Sequence, residues 1–168
     1  GEVTSTIGGI TGGGDGGAVV WVGSHGIIND SCIFTNNYAK NRGGAVFMHG
    51  NSTENCTNVT VHSSIFEYNI AGTNGGALDW HSGAHDGAIH NSTFRHNIAY
   101  ANGGAVYWRG HHGDIIDSNF TNNTASEDGG AIYIEGKDCT LNNTVFIGNV
   151  AHNDGGAIEW NGDNGVIY

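Results

Sequence analysis

GGAVYWRGHHGDIIDSNFTNNTASED, residues 103–128, is one whole copy of a unit that recurs from end to end of the 168-residue chain. Its opening GGA stands at Gly16, Gly43, Gly75, Gly103, Gly129 and Gly155. One FxxN lies between successive copies: Phe34 to Asn37, Phe66 to Asn69, Phe94 to Asn97, Phe120 to Asn123 and Phe146 to Asn149. Every such Asn precedes the next GG by six residues, and the periods are 27, 32, 28, 26 and 26 residues, so the length variation falls between GGA and Phe. A repeat with one rigid half and one elastic half is a coil with a loop in it.

Aligned on GG, the copies place Val19, Val46, Leu78, Val106, Ile132 and Ile158 in one apolar column. Trp21, Met48, Trp80, Trp108, Ile134 and Trp160 form another two residues further on. A spacing of two is the inward face of a strand, so the four Trp are expected inside with Met48 and Ile134 filling the gaps. The residues that alternate with them, among them Asp79, His81, Tyr107, Arg109, Tyr133, Glu135, Glu159 and Asn161, are expected on a solvated outer face. The five Phe make a second inward column. Small residues precede each by two (Cys32, Ser64, Ser92, Ser118, Thr144), and Ala39, Ala71, Ala99, Ala125 and Ala151 follow by five.

An Asn once per coil has its own physical reason. Amides stacked at the strand spacing of roughly 4.8 Å can hydrogen-bond to one another and to the turn backbone, which fixes a corner at Asn37, Asn69, Asn97, Asn123 and Asn149. GG supplies another corner, because residues without Cβ accept positive φ. A third apolar segment (Val59-Thr-Val61, Ala88-Ile89, Ile115-Ile116, Val166-Ile167) lies before the Phe strand. Three short strands per coil, about six coils and no helical periodicity predict an all-β, right-handed parallel β-helix. Counted back from Gly16, residues 1–15 form a degenerate first coil in which Ile7 takes the Phe column and Ile10 the Asn position. The whole of 1–168 reads as a single solenoid segment, and its open edges are expected to meet further coils of the same or another chain.

The alternation of GGA plus an aliphatic residue with FxxN resembles the repeat signature of the chlamydial polymorphic membrane proteins. The fuller form, N-x-[ST]-F-x-x-N-x-A-x-x-x-G-G-A-[IV]-[YE]-W, is similar to that of adhesin-like proteins of methanogenic archaea. The resemblance covers about residues 16–168. It implies a non-enzymatic, extracellular or cell-surface β-helix whose outer face varies to bind glycans or proteins of another cell, and it carries over no catalytic residue.

Composition agrees with a packed solenoid. Thirty Gly would suggest low complexity, but no Pro, four Trp, six Phe and a strict register point to a core with glycines at its corners. A net charge of −11 argues against nucleic acid or an anionic membrane as partner, and no run of apolar residues is long enough to span a bilayer. Of the three Cys, Cys32 falls in the small inward column. Cys56 and Cys139 lie in elastic segments three coils apart, roughly 14 Å along the axis, too far for a disulfide.

Several groups are candidates for contact. The outward column of the GGA strand joins Phe47, Tyr107 and Tyr133 to His49, His81, Arg109 and Glu135, the mixture of rings and polar groups that a sugar or protein contact uses; strands also favour such rings for packing alone. The long loop from His49 to Asn58 is a second candidate. Asn29, Asn51, Asn55, Asn58, Asn91, Asn119, Asn122 and Asn142 head N-x-[ST] sequons and suit an exported glycoprotein, although an Asn- and Thr-rich strand sequence generates sequons by composition. Asp128 and Asp154, before successive GG pairs, offer hard oxygen ligands to calcium, against the plain alternative of a solvated Asp at a turn; no other cofactor is expected. His85, His111 and His112 crowd neighbouring loops and could hold a transition metal, although no Cys joins them. Two other function classes remain: a structural filament built by head-to-tail stacking, and a polysaccharide lyase or hydrolase. For the enzyme, Glu135 and Glu159 on neighbouring coils could approach the separation of about 6.5–9.5 Å of an inverting pair.

Overall fold

A computed structural model describes residues 5–29, 31–50 and 55–168. The chain winds into a parallel β-solenoid in which every coil contributes one short strand to each of four six-stranded parallel sheets. The Trp sheet contains Val19–Trp21, Val46–Met48, Leu78–Trp80, Val106–Trp108, Ile132–Ile134 and Ile158–Trp160. The Ile sheet runs from Ile27–Ile28 through Thr60–His62, Ala88–His90, Asp114–Ile116 and Thr140–Asn142 to Val166–Ile167. The Phe sheet holds Thr6–Gly8, Ile33–Thr35, Ile65–Glu67, Thr93–Arg95, Asn119–Thr121 and Val145–Ile147. The Ala sheet holds the two-residue strands Thr11–Gly12, Tyr38–Ala39, Ile70–Ala71, Ile98–Ala99, Thr124–Ala125 and Val150–Ala151. No helix of the described residues is long and apolar enough to cross a membrane.

The register follows the sequence columns, with Phe66 opposite Phe34 and Phe94, Trp80 opposite Met48 and Trp108, and Ile7 opposite Phe34. Four long sheets rather than three result because the buried Asn breaks the Phe segment, and Cys56–Thr57 and Ala84–His85 add a short two-stranded parallel sheet. Each Asn turns the chain, and the two residues after it pair as a ladder of their own. Corners are set by left-handed residues, one per turn. Gly103 (φ 67), His112 (φ 54), Asp117 (φ 51) and Asn122 (φ 53) mark the four corners of one coil. Gly, Asn and Asp recur at these places because they tolerate that conformation. The second Gly of the pair is needed for space: a Cβ on Gly104 would lie 2.0 Å from the Gly130 carbonyl oxygen of the next coil.

Stacked side chains fill the interior. The Phe34, Phe66, Phe94, Phe120 and Phe146 rings lie 4.7–5.2 Å apart and nearly parallel, and the Trp80 and Trp108 indoles stack at 4.3 Å. Trp21 and Trp160 pack against the same core while remaining partly exposed. Opposite the Trp stack runs the Asn ladder. The Asn69 Nδ2 donates to Asn97 Oδ1 (3.0 Å) and to the Phe34 carbonyl (3.0 Å), and its backbone N–H also donates to Asn97 Oδ1 (3.0 Å). The pattern repeats from Asn37 to Asn149. Both amide protons and the oxygen are thus used, which is what burial of the group demands. A parallel ladder of hydroxyls backs it, with Ser64 and Ser92 donating to the His62 and His90 carbonyls. Cys32, at the head of that column, is only half buried. Cys56 and Cys139 lie in the core rather than in surface loops, all three thiols are free, and burial raises the pKa of Cys56 and Cys139.

Candidate functional site

The outer face of the Trp sheet brings the contact residues together, but not as a solvated strip. Its middle column reads Val20, Phe47, Asp79, Tyr107, Tyr133 and Glu159, paired directly across the coils. Phe47 and Tyr107 are 5% exposed and Asp79 is 0% exposed, so the expected aromatic surface at Phe47 and Tyr107 is absent. The cause is the length of the flanking side chains. Phe47 packs against the rings of His49 (5.0 Å) and His81 (5.6 Å), and the Arg42 guanidinium lies 5.5 Å from its centroid. Tyr107 stacks on Tyr133 (5.3 Å) and donates its hydroxyl to Glu135 (3.0 Å), which Arg109 also grips at 2.8 Å. Burial first, then the Glu135 carboxylate, holds the Tyr107 phenol well above its ordinary pKa.

Between Phe47 and Tyr107 sits Asp79, whose two carboxylate oxygens have no hydrogen-bond partner among the described residues. Burial pushes its pKa up to about 6, and only a more distant His81, 3.6 Å away, and Arg42 act in the opposite direction. Arg42 instead approaches the His81 ring at 2.9 Å. Strand alternation alone marks Asp79 as solvent-facing; the signal that contradicts it is the run of bulky neighbours at Phe47, His81 and Tyr107. Val20 and Asn161 are exposed on this face and His49, His81, Arg109, Tyr133, Glu135 and Glu159 are half-buried; Asn161 donates to the Tyr133 hydroxyl (3.0 Å).

The other candidates have defined surroundings. Asp128 Oδ1 accepts the Asp154 backbone N–H (3.1 Å), as Asn102 Oδ1 does for Asp128 (3.0 Å), so this column works as a turn acceptor. His85 Nδ1 accepts the His111 N–H (3.0 Å) and His111 Nδ1 that of Lys137 (3.1 Å), while His112 stands between Asp86 (3.2 Å) and Asp138 (3.7 Å). Among the described residues no three His, Cys, Asp or Glu side chains converge as a metal site would need. Glu135 is held by Arg109 and Tyr107, and Glu159 lies opposite Tyr133. The described sequon residues Asn29, Asn55, Asn58, Asn91, Asn119 and Asn122 are exposed and Asn142 is half-buried; Asn51 and much of the His49 to Asn58 loop lie outside the described residues. Asn58, Asn91 and Asn122 occupy left-handed corners, which gives these residues a structural reason independent of modification.

Registered coils with a repeated interior and a variable exterior define the class: an all-β solenoid repeat protein. Within it, residues 31–48, 91–107, 117–135 and 143–159 match the Chlamydia polymorphic membrane protein repeat. Each matched segment opens on a left-handed corner residue, Ser31, Asn91, Asp117 or Asn143, crosses the Phe and Asn columns and ends in or just past the Trp sheet. The chain therefore carries repeats similar to those of the polymorphic membrane proteins, which supports the chlamydial side of the resemblance. Neither a curated protein nor a solved structure matches it.

Proposed function

We propose that this chain is a stretch of a non-enzymatic, cell-surface, adhesin-type solenoid. Its interior sets length and its exterior makes contact with proteins or glycans of another cell. The observation that carries the reading is the division of labour between columns. Residues that repeat from coil to coil (Phe, Asn, Ala) point inward, whereas the outer columns of the Trp sheet change at nearly every coil, from Phe47 to Asp79 to Tyr107 and from His81 to Arg109 to Glu135. Fixed framework with variable surface is the arrangement of a binding scaffold. The polymorphic membrane protein repeat supports a surface location. Contact falls to the half-buried residues His49, Arg109, Tyr133 and Glu135, with Phe47 and Tyr107 as their packed base. Beads coated with the chain should adhere to cultured cells, and Arg109→Ala combined with Tyr133→Ser should reduce adherence several-fold while the fold persists. Adherence unchanged in that variant would remove this face as the contact region.

A further inference from the structure

The corner between the Phe and Ala sheets requires one left-handed residue per coil. The chain fills it with Gly9, Asn36, Tyr68, His96, Asn122 and Gly148, at φ 68, 55, 55, 55, 53 and 64. Gly and Asn suit that conformation and His tolerates it, as His25 and His112 do at other corners, whereas a bulky Tyr ring does not. Tyr68 therefore breaks a local rule, with the His96 ring next to it in the column, and such strain collects where function needs it. Core packing does not account for them. Tyr68 is 49% exposed, and its ring stacks on His96 at 5.0 Å with 4° between the planes, outside the core cluster.

The surroundings are also unusual. Tyr100, 58% exposed, lies just past the far end of the adjoining Ala-sheet strand. Between the ring pair and Tyr100 stand the half-buried Ile70 and Ile98, which pair directly with each other. The charges beside the rings cancel, since Arg95 Nε meets Glu67 Oε2 at 2.6 Å. The result is a patch of rings and aliphatic surface edged by hydroxyl and imidazole groups, carrying no uncompensated charge of its own.

We propose that this corner, formed by Tyr68, His96 and Tyr100 around Ile70 and Ile98, is a contact surface for a neutral glycan chain, and that Tyr68 occupies left-handed backbone to serve it. Pyranose C–H faces pack on aromatic rings while sugar hydroxyls pair with phenol and imidazole groups. An apolar protein partner would strip water from those same polar groups without replacing its hydrogen bonds. An acidic glycan would meet a chain of net charge −11. This goes beyond the Trp-sheet face and rests on the preceding reading only in treating the solenoid as a binding scaffold.

The test uses the whole chain titrated with soluble maltoheptaose, mannopentaose and chitopentaose, with polygalacturonate as the anionic comparison, followed by NMR. At least one neutral oligosaccharide should bind, and the double change Tyr68→Asn with His96→Asn should weaken it at least tenfold. Because Asn fits the corner, the same variant should melt higher, by about 2–4 °C for each kcal/mol of strain relieved. Tyr100→Ser, at an ordinary backbone position, should weaken binding with little change in melting. Failure of all three oligosaccharides to bind, binding untouched by the double change, or a lower melting temperature in that variant would each overturn the proposal. Bead adherence scored with the Trp-sheet variant and oligosaccharide affinity scored with the corner variants are separate readouts, so failure of the Trp-sheet reading stays separable from failure here.

Discussion

Trp108 occupies the space that a side chain on Gly113 would need: a Cβ there would lie 2.4 Å from the indole. The same relation joins Trp21 to Gly26 (2.0 Å), Trp80 to Gly87 (2.1 Å) and Trp160 to Gly165 (2.3 Å). In the two coils that lack Trp, the register puts a buried side chain where the Gly stands elsewhere, Val59 in the coil of Met48 and Cys139 in the coil of Ile134. Each coil thus reaches the same filling by pairing a large residue with none, or two medium ones, as close packing requires.

Gly113→Ala should therefore destabilise by about 1–3 kcal/mol through overpacking, and Trp108→Ala by about 3–5 kcal/mol through the cavity it leaves. Trp108→Met with Gly113→Val copies the Met48 coil and should recover much of either loss. Urea unfolding of the single and paired variants measures the coupling. Strict additivity would show that the two positions do not share one volume.

Asp79 gives the solenoid a stability term of a particular sign. Its folded pKa of about 6 lies above the ordinary 3.8, so its contribution is complete below about pH 3.8 and is lost as pH rises through 6. A gap of about 2 units corresponds to about 3 kcal/mol. Asp79→Asn should be more stable than the unaltered chain at pH 7.5, with the advantage shrinking towards pH 4. Thermal melts at pH 4, 6 and 7.5 test this, and a difference that does not change with pH would mean that Asp79 finds a partner in solution.

Asn97→Ala removes the acceptor for the Asn69 N–H and amide and the donor to the Phe66 carbonyl and Asn123. Several buried groups lose a partner at once, each worth about 1–3 kcal/mol in isolation and less than additive together. A loss of about 3–5 kcal/mol by denaturant unfolding is expected. Asn122→Ala, at the exposed left-handed corner beside it, should cost less than half as much, through backbone strain alone.

The inward columns were legible because the distance from Asn to the next GG never varies, so a single alignment brings Phe34 over Phe66 and Trp80 over Trp108. The Ala sheet was harder to see because strands of two residues, such as Ile98–Ala99, carry no alternation to detect. The burial of Phe47, Asp79 and Tyr107 was hidden for another reason: alternation says which way a side chain points, whereas the reach of Arg42 and His81 decides whether water follows it. The Gly26, Gly87, Gly113 and Gly165 column was readable in principle, since each glycine follows a Trp by five or seven residues, but elastic loop lengths obscure it. Tyr68 and His96 stand in the FxxN motif as unremarkable variable positions, and only the left-handed backbone of the whole column, φ 55° at both as at Asn36, shows that a Tyr is out of place there.

Because each Asn presents its oxygen to the preceding coil and its amide protons to that coil's Phe carbonyl and to the next Asn, the two faces of any interior coil are interchangeable with those of its neighbours. Excising residues 103–128 would bring Asn97 onto Asn149, Phe94 onto Phe146 and Trp80 onto Ile134, pairings of kinds the stack already contains. Such a molecule should fold and be shorter by about 4.8 Å. Solenoid length is then a counted quantity, open to gain or loss of whole coils by in-frame duplication or deletion, with no hydrophobic core to redesign each time.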